Sequence, residues 1–206
     1  MIRIVTIDRE YGSGAPAIAE KLAGRLGWTL WDERLTQQIA RLAECDLEAI
    51  KGREERKDPL YYRLVKSFLR GSFEGNLMAQ RLIPLDTDRI FALTEHVVRN
   101  VAHTGNCVIV GRGSAHFLRD RPDAYHVFIY APFEEKVRRE REAGRTADQA
   151  AELVETVDRD RAAFIKEHFG LEWPCRSLYQ LMVNSKIGDE AAVQTILEGI
   201  SAIEKR

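Results

Sequence analysis

The first 26 residues place a short apolar strand directly before a glycine turn and a helix, and this order limits the folds open to the chain. Residues Ile2–Ile7 are rich in β-branched side chains, which favours a buried strand. A glycine-containing turn follows at residues 12–14. Residues Pro16–Leu26 then repeat small and apolar side chains at helical spacing, and proline suits a first helical turn. A strand, a glycine turn and a helix in succession are typical of α/β proteins.

The same alternation of strands and helices continues along the chain. Further strands are predicted at 28–31, 107–110, 125–130 and 178–183, and helices at 133–143, within 144–169 and at 190–203. Several of these strands lack polar alternation, which predicts a parallel sheet covered on both faces. We therefore expect a three-layer α/β/α fold with about five parallel strands and Ile2–Ile7 in the centre. In such sheets ligands bind beyond the carboxyl ends of the strands.

The length of 206 residues suits one domain, residues 1–206, with additions to the alternating frame. Helical patterns dominate from residue 35 to residue 103, too long for one crossover, and residues 46–103 are predicted to form a helical insert. Residues 133–169 form a second, charged and mostly helical region.

Bulk charge and cysteine content exclude several functional classes. The net charge is −1, so no overall field attracts nucleic acid or an anionic membrane. No run approaches the roughly 18 apolar residues of a membrane span. The three cysteines are far apart and form neither a disulfide framework nor a metal-ligand spacing, and the five histidines show no metal spacing either. These features predict a cytoplasmic protein that uses neither nucleic acid nor membrane as a partner.

The loop after the first strand carries a candidate anion site. A glycine loop that leads into a helix aims backbone N–H groups at an anion. The standard phosphate loop is G-x-x-x-x-G-K-[ST]. Here Gly14 is kept, Arg9 stands at the first glycine, and Ala15 and Pro16 replace the lysine and the hydroxyl residue. Arg9 could supply the missing charge and Ser13 a hydroxyl. A tight turn without a ligand is equally compatible with the motif alone.

Two further strand ends carry polar residues. Asp32 follows the second strand and could organise an acceptor or hold magnesium through water, or it could simply cap the next helix. Gly111-Arg112-Gly113 follows the strand at 107–110. Its glycines would let the backbone approach a ligand while the guanidinium group of Arg112 binds phosphate. The alternative for Arg112 is a surface arginine in a flexible turn.

Arginines recur in the second half of the chain, at 138, 139, 141, 145, 159 and 161. Such a run is usually a solvated helix face with (i, i+4) ion pairs. Arg159 and Arg161 would point about 200° apart on a helix, so they could share one face only if the segment were a loop or folded over a ligand. Phosphoryl transfer uses mobile positive charges of this kind.

Taken together these segments resemble the cytidylate-kinase-like family. The resemblance rests on Ile7–Leu26 with Leu30-Trp31-Asp32, on Val108–Gly113 with residues 125–132, on Asp158–Arg161, and on Tyr179–Gly188. It implies a P-loop NTPase-type fold and transfer of phosphate from ATP with Mg²⁺ to a nucleoside monophosphate or another small molecule. The insert at 46–103 would shape the acceptor pocket, and 133–169 would act as a lid.

The resemblance also implies roles for individual residues. Phosphates would be bound by the loop residues Arg9, Tyr11, Gly12, Ser13 and Gly14. The catalytic set would be Asp32, Arg112, Arg159 and Arg161, with Asp32 also a water-mediated metal ligand. Acceptor or nucleotide contacts would come from Arg34, Gly111, Gly113 and Arg139.

The chain departs from true cytidylate kinases at functional positions. The wider family usually lacks the loop lysine and often has a second glycine and an arginine in the region of Ala15-Pro16, which this chain also lacks. Cytidylate kinases carry lysine at position 15, threonine at position 17 and aspartate at position 113, where this chain has Ala15, Ala17 and Gly113. Two other functions are therefore considered. One is a non-catalytic nucleotide-binding sensor or interaction module, and the other is a helical interaction protein that keeps only the scaffold. The helical region also offers a surface on which a homodimer could form.

Overall fold

The computed structural model describes residues 1–50 and 87–205. Its five strands are β1 (Ile4–Arg9), β2 (Thr29–Trp31), β3 (Cys107–Val110), β4 (Ala124–Tyr130) and β5 (Leu181–Asn184). Its helices are α1 (Ala15–Leu26), α2 (Glu33–Ile50), α3 (Thr87–Thr104), α4 (Ser114–Phe117), α5 (Phe133–Glu142), α6 (Ala147–Phe169) and α7 (Asp189–Glu204), with a 3-10 turn at Ser185–Ile187.

The strands form one parallel sheet in the order β2-β3-β1-β4-β5. This confirms the predicted number of strands, their parallel arrangement and the central place of β1. The strand itself lies two residues later than its apolar pattern indicated. Asp8 and Arg9 continue the ladder by pairing with Phe128 and Ile129 of β4. Backbone pairing rather than side-chain polarity decides where a strand ends, so both polar side chains are anchored on the sheet.

Apolar clusters cover the sheet on both faces. Ile4 and Ile109 face a cluster that includes Val97 and Val101 of α3 and Phe164 of α6. On the other face, residues of β1, β3 and β4 join apolar side chains of α1 and α7, namely Val5, Ile7, Val108, Val127, Ile18, Leu22, Val193 and Ile196. This arrangement confirms the three-layer α/β/α fold.

Local signals in the sequence explain where two important helices begin and end. Gly14 and Gly27 bound α1 in the left-handed conformation, with φ of 76° and 66°, which glycine adopts without strain. The Thr146 hydroxyl accepts a hydrogen bond from the Gln149 N–H, and Gln149 Oε1 accepts one from the Thr146 N–H, so a capping box starts α6. α6 then runs unbroken for 23 residues.

The predicted insert at 46–103 falls partly outside the described residues. Within the described part, its ends belong to α2 and α3. Its role in shaping an acceptor pocket remains a prediction, as does the lid role of 133–169. None of the helices in the described ranges is long and apolar enough to cross a membrane.

Candidate functional site

A pocket that is open to solvent lies beyond the carboxyl ends of β1 and β3, where the sheet topology places ligands. Four charged side chains line it, together with apolar side chains from α6 and from the segment before β5. The lining residues are Asp8, Arg9, Arg112, Gly113, Arg161, Phe164, Ile165 and Trp173. Three arginines, one carboxylate and an aromatic wall therefore meet at one opening.

Arg112 is fixed at the turn between β3 and α4. Its backbone has a φ of 54°, a left-handed conformation that is uncommon outside glycine. Its guanidinium group donates to Asp32 Oδ1 at 2.9 Å and to the hydroxyl of Thr36. Burial lowers the pKa of Arg112 to about 10, Asp32 acts in the opposite direction, and Arg9 lowers it further. Arg112 is therefore still charged at neutral pH and held by Asp32, which lies between β2 and α2, and by Thr36 of α2.

Arg161 enters the site from α6. Its Nη1 atom donates to the backbone carbonyl of Arg9 at 3.0 Å and to Asp158 Oδ1 at 3.2 Å. Burial lowers the pKa of Arg161 to about 10, and the charge of Arg9 acts in the same direction. Arg9, Arg112 and Arg161 all line the same pocket, and the charge of Arg9 lowers the pKa of the other two.

Arg9 differs from the other two arginines in its balance of charge. Asp32 and Asp158 pair with Arg112 and Arg161. The Nη2 atom of Arg9 is buried and has no hydrogen-bond partner within residues 1–50 and 87–205. Its guanidinium group lies against Gly111, where a Cβ atom would collide with it. A buried, unsatisfied cationic donor is costly, and an anion in the pocket would satisfy it.

Asp8 is a site residue that the sequence interpretation did not select. Its carboxylate accepts hydrogen bonds from the Tyr179 hydroxyl at 2.7 Å and from the Arg9 N–H at 3.1 Å. Burial raises the pKa of Tyr179, so its hydroxyl stays protonated as a donor. The available signal was position alone, because Asp8 stands at the end of a buried strand.

The glycine loop is covered by α5. Backbone and Cβ atoms of Lys136 lie 3.1–3.2 Å from where a Cβ of Gly12 would stand, and the Arg139 guanidinium group lies 3.2 Å from the corresponding point at Gly14. Arg139 donates to Ser185 Oγ at 2.9 Å and to the Ser185 carbonyl at 3.2 Å. These two glycines therefore allow a helix to approach the loop closely.

Charged side chains also fasten α5 and α6 to this loop. Lys136 Nζ lies 3.0 Å from Glu10 Oε2 and 3.4 Å from Asp158 Oδ2. Asp158 Oδ1 accepts from the Tyr11 N–H at 2.7 Å, and the Tyr11 hydroxyl donates to Glu140. Burial raises the pKa of Asp158, while Arg161, the Tyr11 N–H and Lys136 oppose that rise. We call the set Glu10, Tyr11, Lys136 and Asp158 the latch. The position of Lys136 in the sequence did not distinguish it from a solvent-exposed residue of a helix.

The start of α1 explains what the altered loop can offer a ligand. Ala15 is fully buried and belongs to the apolar cluster of α1 and the sheet. Pro16 provides no N–H in the first turn. Ser13 keeps a buried hydroxyl oxygen without a hydrogen-bond partner among the described residues. The loop retains some anion-binding potential, but less than the standard motif.

The structure brings together only part of the set expected from the sequence. Arg9, Asp32, Gly111, Arg112, Gly113 and Arg161 lie in or beside the pocket. Tyr11, Gly12, Ser13, Gly14 and Arg139 lie at the loop beneath α5. Arg34 and Arg159 have exposed side chains. Because α6 is a continuous helix, Arg159 cannot share the buried face of Arg161, and the structure does not bring it into this group.

Residues 1–50 and 87–205 contain no group of three His, Cys, Asp or Glu side chains that could bind a metal ion. Asp32, the ligand expected from the sequence, is paired with Arg112. Magnesium commonly keeps several waters and is bound largely through substrate phosphates in kinases. Any such ion would therefore depend mainly on the nucleotide.

Comparisons with known proteins agree with this geometry. The model of the cytidylate kinase-like family matches residues 4–187. A cytidylate kinase from Methanosarcina mazei is 27% identical over 150 residues, which cover 70% of this chain and 77% of that protein.

Solved structures share the fold. An uncharacterized protein from Eubacterium ventriosum superposes with a TM-score of 0.70 at 21% identity, covering 98% of this chain and 99% of the other. Shikimate kinases from Bacteroides thetaiotaomicron and Acinetobacter baumannii give TM-scores of 0.54 and 0.52, at 14% and 16% identity. The first pair of chains is covered at 98% and 99%, the second at 100% and 97%. These likenesses show that the chain shares the fold of these proteins.

Proposed function

Because the chain belongs to the cytidylate kinase-like family, we propose that it transfers the γ-phosphoryl group of ATP to a small anionic acceptor, with a nucleoside monophosphate as the first candidate. Membership of this family supports a phosphotransfer kinase, and the relative from Methanosarcina mazei is a cytidylate kinase. The observation that carries the proposal is the pocket of three neighbouring arginines in which Arg9 lacks a partner for its buried Nη2 atom.

The arginines suit the electrostatics of this reaction. As an acceptor oxygen forms its bond to the γ-phosphorus, the bond from that phosphorus to the bridging oxygen breaks and ADP leaves. Negative charge spreads over the transferred group, and catalysis consists mainly of positioning and charge stabilisation. Arg112 and Arg161 are held by Asp32 and Asp158, so their guanidinium groups need little reorganisation. Arg9 would supply the positive charge that Ala15 cannot.

A second candidate function has its own support. Ala15 is buried, Pro16 lacks an N–H and α5 covers the glycine loop, all of which weaken the usual site for the nucleotide phosphates. A non-catalytic module that binds a phosphorylated small molecule in the arginine pocket would need none of these loop features. The two functions share the pocket and differ in turnover.

The test is an assay of ADP formation with ATP, magnesium and each of CMP, dCMP, UMP, AMP and GMP. Calorimetric titration of the same nucleotides is run in parallel. ADP formation that depends on one monophosphate supports the kinase. Nucleotide binding without turnover supports the module, and the absence of both contradicts the proposed use of the pocket.

Arg9→Met tests the observation on which the proposal rests, which is the unsatisfied Nη2 atom of Arg9. It should weaken binding of the phosphorylated ligand more than tenfold, because a charge-assisted contact to phosphate is lost. The melting temperature of the free protein should hold or rise, since a buried unpaired charge is removed. Arg99→Met on the exposed face of α3 is the matched control and should change neither quantity. Full retention of binding in Arg9→Met would rule out the role of Arg9.

A further inference from the structure

Asp8 is an unexpected group to find in a pocket built for an anion. Its side chain belongs to a residue that is only 8% exposed, and it lines the same opening as the three arginines. One carboxylate oxygen accepts from the Tyr179 hydroxyl and the other from the Arg9 N–H. An ionised carboxylate offers about four acceptor sites, so capacity toward the pocket remains.

The charges of the pocket indicate what Asp8 could do there. Arg112 and Arg161 already have carboxylate partners outside the opening, in Asp32 and Asp158. Asp8 repels any simple anion that approaches Arg9, because like charges a few ångströms apart are unfavourable. A ligand that also presents an O–H or N–H group to Asp8 converts this repulsion into a charge-assisted hydrogen bond.

We propose that Asp8 is a specificity-determining residue that accepts a hydrogen bond from a hydroxyl or ammonium group of a ligand whose anionic group is bound by Arg9. The ligand class is thus a small phosphorylated or carboxylated molecule with a hydrogen-bond donor close to its anionic group. Phe164, Ile165 and Trp173 contact the rest of the molecule. That this ligand is the phosphoryl acceptor rests on the proposed function.

Tyr179 acts on the ligand only through Asp8. Its hydroxyl fixes one carboxylate oxygen at 2.7 Å, and its ring packs against Phe128, with 5.0 Å between the ring centroids. Because the tyrosine is buried and held by this packing, the carboxylate has one orientation in the pocket. Tyr179 is therefore a positioning residue.

The test compares two probes that differ by a single hydroxyl group, ethyl phosphate and 2-hydroxyethyl phosphate. Their dissociation constants are measured by calorimetric titration against the full-length protein at pH 7.5. The wild type should bind 2-hydroxyethyl phosphate about tenfold more tightly, which is the scale of one hydrogen bond to a charged group. Equal affinities, or no binding of either probe at 20 mM, would overturn the inference.

Asp8→Asn should change the affinities for the two probes in different ways, which the loss of a purely structural residue would not do. Ethyl phosphate should bind more tightly than in the wild type because the repelling charge is gone. The preference for the hydroxylated probe should fall toward onefold. Asp120→Asn is the matched control, because that carboxylate is exposed and does not line the pocket. A full preference in Asp8→Asn would contradict the inference.

Tyr179→Phe provides an independent variant in case Asp8→Asn does not fold. It leaves the charge of Asp8 in place but removes its anchor, so the preference should fall several-fold while ethyl phosphate affinity stays unchanged. An unchanged preference would refute the positioning role. Probe binding does not require turnover. If the wild type shows the expected preference but forms no ADP, this inference is kept and the kinase function is rejected. If ADP forms but the preference is absent, the kinase function is kept and this inference is rejected.

Discussion

Acid should destabilise this protein through a histidine in the centre of its sheet. His126 of β4 is almost fully buried, and its Nδ1 atom shares a 2.7 Å hydrogen bond with the hydroxyl of Thr6 on β1. Burial lowers the pKa of His126 from 6.5 to about 4, and the neighbouring His116 acts in the same direction. The native state therefore resists a proton that the unfolded chain accepts readily.

The size of the effect follows from these pKa values. Between pH 6.5 and pH 4 the unfolded state binds more protons than the native state, so stability falls as the pH falls. At 1.36 kcal/mol for each pKa unit, the complete loss approaches about 3 kcal/mol at low pH. From pH 7 to pH 5 the share of His126 is about 2 kcal/mol, because its unfolded form becomes almost fully protonated while the native form stays mostly neutral.

Urea unfolding of the wild type and of His126→Asn at pH 7 and pH 5 measures this share. Asparagine can keep a hydrogen bond to Thr6 but does not titrate. The variant should be less stable at pH 7 and should lose about 2 kcal/mol less than the wild type on acidification. Exposed His96 on α3 provides the control, His96→Gln, whose acid loss should match that of the wild type. An identical acid loss in His126→Asn and the wild type would refute the reasoning.

Two matched pairs of substitutions test the packing around the site by urea unfolding. Lys136→Met should cost about 3 kcal/mol because it removes the ammonium group that Glu10 and Asp158 share, whereas Lys21→Met, which breaks exposed pairs, should cost very little. A small loss in Lys136→Met would show that the latch contributes little. Gly113→Ala should cost at least ~1 kcal/mol more than Gly27→Ala, where φ is nearly the same and the Cβ would meet open space. Both glycines have positive φ, but only at 113 would the Cβ lie 3.2 Å from the Phe169 ring, so equal losses would contradict this explanation.

Sequence patterns predicted the frame of the fold because its determinants are local. The β-branched runs and glycine turns indicated about five strands in a parallel sheet with the first strand in the centre. They failed at Asp8 and Arg9, since a side-chain pattern cannot show that backbone pairing continues past the last apolar residue. The charges of the arginine series were equally ambiguous. Arg161 is buried and Arg159 is exposed, because the two residues lie on different faces of the continuous helix α6.

Long-range contacts were beyond the reach of sequence reasoning. Asp8 meets Tyr179 across 171 positions, and Glu10 meets Lys136 across 126. Neither pair has a spacing that marks it. Position at a strand end did identify Arg9 and Arg112, because sheet topology converts that position into proximity.

The burial of Ala15 affects any attempt to restore the standard phosphate loop by mutation. Ala15→Lys would place an ammonium group toward the apolar cluster that contains Ile7 and Ile18. Burying this charge without a partner would destabilise the folded protein. Pro16→Ser would return an N–H and a hydroxyl, yet the Arg139 guanidinium group would still occupy the space above Gly14. Restoring the standard loop would therefore require simultaneous changes in α1 and α5. Neither of these single substitutions would give a loop that binds phosphate better than the starting protein.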